Sequence, residues 1–298
     1  MPSPQLTAYF IRAAPLTFAL FWSSGFIVAK YAAPYADPFT FLTVRIATTI
    51  LALALIAIAS RAPWPASARE AGHSMMVGVF LHGGYLGGVW WAVAQGLPAG
   101  IAGLITAAQP LLTALLAAPL LGERVTRRQW SGILGGFVGI ILVLAPRLSA
   151  VDPAALGIVA LPMIVNFAAT VSITLGTFYQ KRFAAAADLR TGTCLQFVGA
   201  LAVMAPLALA TETLRFDVNA TSLAALAWSV LVTSLAAIAL LLLMIRHGEL
   251  SRVAALIYLV PPLAVLQAFI LFDETLSAVQ IVGMAVTAVG VWLATHKG

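Results

Sequence analysis

Ten stretches of this chain are apolar over about the 20 residues that a helix needs to cross the ~30 Å hydrocarbon core of a bilayer. They are predicted near Ala13 to Tyr31, Phe39 to Ser60, Ser74 to Ala94, Ile101 to Leu121 and Gln129 to Leu144. The second five lie near Pro153 to Phe178, Thr191 to Leu209, Leu223 to Ile245, Val253 to Phe272, and Val279 to Thr295. The chain is 62% hydrophobic and 9% charged, whereas a soluble domain carries about a quarter charged residues. Water is thereby excluded as its main solvent.

The connections are short and collect Gly, Pro and charge, as in "YAAPYADP", "RAPWPASAREAG", "QGLPAG" and "APRLSAVDP", so no soluble domain is expected between the spans. The first run follows Arg12 in the manner of a signal peptide. It is longer than a typical h-region, and proline follows its small-residue site, so it is read as a mature helix. The single cysteine, Cys194, lies inside the seventh run and excludes a disulfide framework. The basic balance, with a net charge of +6, forms no nucleic-acid face because the Lys and Arg residues are spread through the loops.

Those charges set an orientation, since short cytoplasmic loops accumulate Lys and Arg. With the N-terminus inside, the cytoplasmic segments hold Arg12, Arg61, Arg69, Arg124, Arg127, Arg128, Lys181, Arg182, Arg190, Arg246, Arg252 and Lys297. The external segments hold only Arg147 and Arg215. A multi-pass protein of a bacterial-type inner (plasma) membrane, with both termini cytoplasmic, is the expected localisation.

The halves repeat at an offset of 151 to 152 residues. Gly96 aligns with Gly248, Ala102 with Ala254, Pro110 with Pro262, Glu123 with Glu274, Gln129 with Gln280, Gly132 with Gly283 and Gly139 with Gly290. Five spans per copy turn the second copy upside down. This explains why "LLGERVTRRQW" is rich in arginine and its twin "LFDETLSAVQI" has none: the two loops are expected on opposite sides. The expected fold class is an all-α membrane protein, with ten transmembrane helices as two inverted five-helix repeats around a central cavity. The repeats are placed at 1–148 and 149–298. Inverted repeats rock about an in-plane axis and bind near the midplane, on helices with interrupted backbones. Pro110, Pro162, Pro261 and Pro262 are the candidate hinges or kinks.

The segments "WSSGFIVAKYA", "FTFLTVRI" and "IAGLITAAQPLLTALLAAPLLGERVTRRQWSGILGGFVGIILV" resemble the EamA repeat of the drug/metabolite transporter superfamily, and the second half carries a weaker copy. Within it the chain is similar to YddG-type exporters of aromatic amino acids. The resemblance implies a ten-helix carrier of amino acids and small metabolites, with helices 5 and 10 as scaffold and the others around a central cavity. Gly132, Gly135, Gly136, Gly139, Gly283 and Gly290 suit close packing of those two helices.

Polar groups at mid-helix are costly in lipid unless they face a cavity or a partner helix. Ser23, His82, Gln109 and Asn166 fall near the midpoints of their runs and are the first candidates for substrate contact. Trp22, Ser24, Tyr85, Trp90, Thr170 and Tyr258 complete the candidate substrate-binding set, and their aromatics suit a ligand with an apolar or aromatic body. Lys30 and Arg45 are candidate charge contacts, or snorkel to the interface. The bland alternatives are interhelical hydrogen bonding for His82 and own-helix bonding for the threonines.

No Asp or Glu stands at mid-helix, so carboxylate-driven antiport of cations finds no support, and no central Lys/Arg pair offers itself to a phosphate. The expected function is a secondary transporter exporting small zwitterionic or neutral metabolites, with amino acids, aromatic ones included, as the best match. The alternatives are a multidrug or other metabolite carrier of the superfamily, a receptor or assembly subunit, and an intramembrane enzyme. The enzyme lacks a glycine-flanked nucleophile and an H-E-x-x-H pair. No cofactor and no metal are expected. The expected partners are a small-molecule substrate and the lipid bilayer, with no nucleic acid, for a monomer or weak homodimer.

Overall fold

The computed structural model describes residues 4–97, 99–122, 125–149, 159–237, 239–240, 259–272 and 276–295. Every expected apolar run has a helical counterpart there. In chain order these are α1 (Pro4–Ala32), α2 (Pro38–Ala59), α3 (Ala68–Ala94), and α4, which is split into Ala99–Thr106 and Gln109–Leu121. They continue as α5 (Arg127–Ser149), α6 (Ala160–Phe183), α7 (Leu189–Thr211), α8 (Ala220–Ala236), α9 (Val260–Phe272) and α10 (Ala278–Thr295). Five of them, α2, α3, α5, α6 and α7, contain windows long and apolar enough to cross a membrane. Among the described residues the only β pairing is one bridge between Ala36 and Phe216. The protein is an all-α membrane protein.

Helix starts follow local capping chemistry. Ser67 accepts the N–H of Glu70 at 3.2 Å, while the Glu70 carboxylate accepts the N–H of Ala66, so α3 begins inside the polar loop and earlier than its apolar run. Thr126 and Gln129 close a capping box on α5, and Ser277 and Gln280 close its counterpart on α10. Glu123, Arg124 and Glu274, which drew attention to these loops, lie outside the described residues.

Two helices widen locally into π-helix, over Val79–Leu86 in α3 and Leu231–Ala236 in α8. Val79 and Leu231 stand at the offset that relates the two halves of the sequence.

The chain forms two compact units, each drawing on both halves of the sequence. The first comprises Met1–Ile27, Thr113–Ala150 and Val232–Gly298; the second comprises Val28–Leu112 and Val151–Leu231. In the first, α5 and α10 pack backbone to backbone. A Cβ on Gly139 would lie 2.8 Å from the Gly283 carbonyl, and one on Gly290 would lie 2.6 Å from the Gly136 Cα. Gly135 differs: a Cβ there meets nothing within 4 Å, and it lines an apolar groove of about 270 Å³ with Ala285, Val286 and Val289.

In the second unit, Glu212 receives the N–H groups of Phe39 and Thr40, both at 2.7 Å, and the Thr40 hydroxyl at 2.8 Å. The end of α7 thus caps the start of α2. Next to it Asp37 accepts the Thr213 hydroxyl and the Arg215 N–H. Burial pushes the Asp37 carboxyl upward, but those two hydrogen bonds and the Arg215 charge outweigh it and hold the group below the usual carboxylate range.

Pro110 stands three residues past the turn at Ala107, just where α4 is interrupted. Pro162 occupies the first turn of α6, where a missing N–H leaves no broken bond. Pro261 and Pro262 are the second and third described residues of α9. The segments before them, 150–158 and 241–258, lie outside the described residues.

Candidate functional site

The candidate site residues fall into two groups, one in each compact unit. In the second unit the centre is His82, carried on the π-helical stretch of α3. Its ring stacks on Phe197 of α7 with centroids 4.5 Å apart and planes 12° from parallel. Arg45 lies on α2, which packs against α7. Arg45 is half-buried and is the eighth residue of its helix, about 10 Å from the helix start at 1.5 Å per residue. Tyr85 is half-buried one turn beyond His82.

The π-helical stretch presses on α6. Ser172 donates its hydroxyl to the Phe80 carbonyl at 2.9 Å, and a Cβ on Gly84 would collide with the Ser172 side chain.

Asn166 of α6 is fully buried. Its Nδ2 donates to the Ala102 carbonyl at 2.9 Å, which ties α6 to the first piece of α4, and its Oδ1 is buried with no hydrogen-bond partner among the described residues. Because a carbonyl only accepts, the amide orientation follows from that contact. Just beyond Ala102 the α4 helix breaks: Ala107 N bonds Gly103 O, Ala108 N turns back to Ile105 O, and Pro110 has no N–H to offer Thr106 O. Gln109, 5% exposed, starts the second piece. Thr170, one turn after Asn166, donates to the Asn166 carbonyl at 2.9 Å, the own-helix bond weighed against it as a ligand contact.

Trp90 lies in a different setting. It stacks on Phe41 at 5.5 Å, and Phe41 in turn stacks on Phe216 at 6.1 Å, within a buried cluster that includes Val28, Ala36 and Ala225. One face of its ring is therefore committed to packing.

In the first unit Ser23 is fully buried and Ser24 nearly so; their hydroxyls donate to Leu20 and Phe21 carbonyls. Trp22 is 38% exposed and tilts against Phe18. Ser23 also receives a hydrogen bond from Gln267 of α9 at 2.7 Å. Gln267 was not among the candidates read from the sequence, although the rule that selects Gln109, a polar side chain within an apolar run, selects it equally. Phe197 had no such signal, being one aromatic in an apolar helix. The Lys30 side chain and the whole of Tyr258 lie outside the described residues. Among the described residues no cluster of His, Cys, Asp and Glu is suited to a metal ion.

Residues 12–145 and 160–295 match the EamA-like transporter family, one copy in each half of the sequence. This chain belongs to the EamA-like transporter family. It is 23% identical over 287 residues to a "Probable amino-acid metabolite efflux pump" of Salmonella typhimurium, covering 93% of this chain and 92% of that one. It is 25% identical over 292 residues to the "Uncharacterized inner membrane transporter YedA" of Escherichia coli strain K12, covering 96% and 92%. It is 28% identical over 195 residues to "Protein PecM" of Dickeya dadantii, covering 64% and 63%. A solved crystal structure shares the fold, with a TM-score of 0.73 at 22% identity over 96% of both chains. As an EamA-family member the chain is a membrane transporter for a small molecule and not an enzyme.

Proposed function

We propose that this transporter exports amino acids, aromatic ones among them, and related zwitterionic or neutral metabolites across a bacterial inner membrane. The observation that carries the reading is His82 stacked on Phe197 of α7, with Arg45 on the adjoining α2 and no mid-helix carboxylate in any apolar run. A guanidinium is matched to a carboxylate, and an aromatic platform to an apolar or aromatic body. A cation acceptor built on Asp or Glu has no place in this set. The likeness to a protein named as an amino-acid metabolite efflux pump supports the same substrate class.

In this reading the halves 1–148 and 149–298 are inverted repeats with both termini cytoplasmic, they enclose a central cavity, and transport runs by alternating access. The interrupted α4 and the paired π-helical stretches supply helices that bend without losing their span. Trp22, Ser23, Ser24, His82, Tyr85, Trp90, Gln109, Asn166, Thr170 and Tyr258 are the proposed substrate contacts. Lys30 and Arg45 are the proposed charge contacts, and the working unit is a monomer or weak homodimer.

The test is transport by the purified protein in liposomes across a panel of labelled amino acids, with and without a pH gradient, repeated with His82→Ala and Asn166→Ala. Saturable flux that both substitutions reduce is the expected result. Flux of an accepted substrate that neither substitution alters would remove His82 and Asn166 from the site.

A further inference from the structure

Gln267 is half-buried, its amide is held by two hydrogen bonds, and it has no assigned role. It sits in α9, one turn after Leu263, which packs against the α1 cluster of Ala14, Phe18 and Ala19. Its Nε2 donates to the Leu20 carbonyl at 3.1 Å and to the Ser23 hydroxyl oxygen at 2.7 Å. Two facts fix which end of the amide faces α1. The Leu20 carbonyl only accepts, and the Ser23 hydroxyl proton is already given to that same carbonyl at 3.0 Å. The amide nitrogen therefore faces α1, and Oε1 is turned away from it. That oxygen is buried and has no hydrogen-bond partner among the described residues.

An interhelical link needs only the N–H side of this amide. It leaves a buried acceptor unmet, in the low-dielectric interior of a membrane protein where such a group is most costly. What satisfies it is a hydrogen-bond donor, and a charged N–H does so most strongly. No apolar run offers a mid-helix carboxylate, so an ammonium entering this unit has only neutral oxygens to bind.

We propose that Gln267 reads the amino group of the transported molecule: Oε1, aimed by Leu20 and Ser23, accepts a hydrogen bond from a protonated amine. The inference rests on the amino-acid reading above and adds to it a residue that distinguishes ligands with an ammonium from those without one.

The experiment uses the full chain in liposomes loaded with labelled phenylalanine, with phenethylamine and 3-phenylpropionate as competitors. Gln267→Leu is expected to weaken inhibition by phenethylamine by about tenfold or more, the size of one charge-assisted hydrogen bond, and to leave inhibition by 3-phenylpropionate within about twofold. Ser23→Ala, which loosens the aim of the amide, should fall between wild type and Gln267→Leu. Equal shifts for the two competitors, or none, overturn the proposal and leave Gln267 as a packing contact. If Gln267→Leu does not fold, Gln267→Met is judged by the same ratio.

If wild type moves no phenylalanine, the transport reading fails for that substrate, and thermal stabilisation of the purified protein decides the inference on its own. Stabilisation by phenethylamine that Gln267→Leu abolishes supports it; absence of stabilisation in wild type overturns it.

Discussion

Gln129 and Gln280 make the same hydrogen bond in the two halves of the sequence: each returns its side-chain oxygen to the N–H three residues earlier, Thr126 at 2.8 Å and Ser277 at 2.9 Å. The partner hydroxyls answer by accepting the glutamine N–H groups. These boxes satisfy the first donors of α5 and α10, the two helices of the glycine seam. Gln129→Ala and Gln280→Ala are each expected to cost about 1 kcal/mol, and the double variant close to the sum because the boxes share no partner. Denaturant titration of the purified protein in detergent measures it.

The seam itself predicts a contrast between glycines on one helix. Gly139→Ala would drive a methyl into the α10 backbone, at 2.5 Å from the Thr287 nitrogen, so both helices must move apart. Gly135→Ala meets open space and adds a better helix former. The expected outcome is a loss of several kcal/mol for the first, as for other overpacked sites, and no loss for the second. Melting temperature and yield of monodisperse protein report the difference.

Much of the architecture was legible because the bilayer imposes a length, and ten apolar runs of that length are visible without any structure. Helix starts were less so: the apolar run of α3 begins at Ser74, but the Ser67 cap lies in the polar loop and lengthens the helix toward it. The π-helical stretches had no sequence signal, since apolar residues surround them on every side and one added residue per turn leaves the hydropathy unchanged. His82 and Asn166 were legible as polar groups in apolar runs. Their partners, the Phe197 ring and the Ala102 carbonyl, were not, because neither carries a pattern that distinguishes it from its neighbours.

At the other unit, the Glu212 bracket on α2 predicts a local weakness. Glu212→Ala removes the acceptor for two backbone N–H groups and the Thr40 hydroxyl, and should cost about 1 to 3 kcal/mol, the penalty for buried donors left unmet. Hydrogen exchange of Phe39 and Thr40 should rise in this variant while α5 and α10 keep their protection. Equal loss across both units would contradict the local role.

Asp37 and Asp188 predict the acid limit. Both carboxyls titrate below their ordinary value, Asp37 against the pull of burial and Asp188 chiefly through the hydrogen bond from Arg190. A group with a depressed folded pKa stabilises fully above its unfolded value, near 3.9 for Asp, and this contribution is lost as pH falls through the lower folded value. Melting temperature should therefore hold down to about pH 5 and drop below about pH 4. Asp37→Asn and Asp188→Asn should each flatten part of that drop while lowering stability at neutral pH.

The inverted arrangement proposed for the halves is tested at the two loops that share a place in the repeat. In a Cys194→Ser background, single cysteines at Gly122 and Ser277 report the segments after α4 and α9. Five spans separate these segments, so a membrane-impermeant thiol reagent applied to intact cells should reach Ser277→Cys and spare Gly122→Cys, with the reverse in inside-out vesicles. The arginines agree with this assignment, since Arg124, Arg127 and Arg128 follow the first position and no Lys or Arg follows the second before Lys297. Labelling of both cysteines from one face would mean an even number of spans between them, and the alternating-access reading would lose its symmetry.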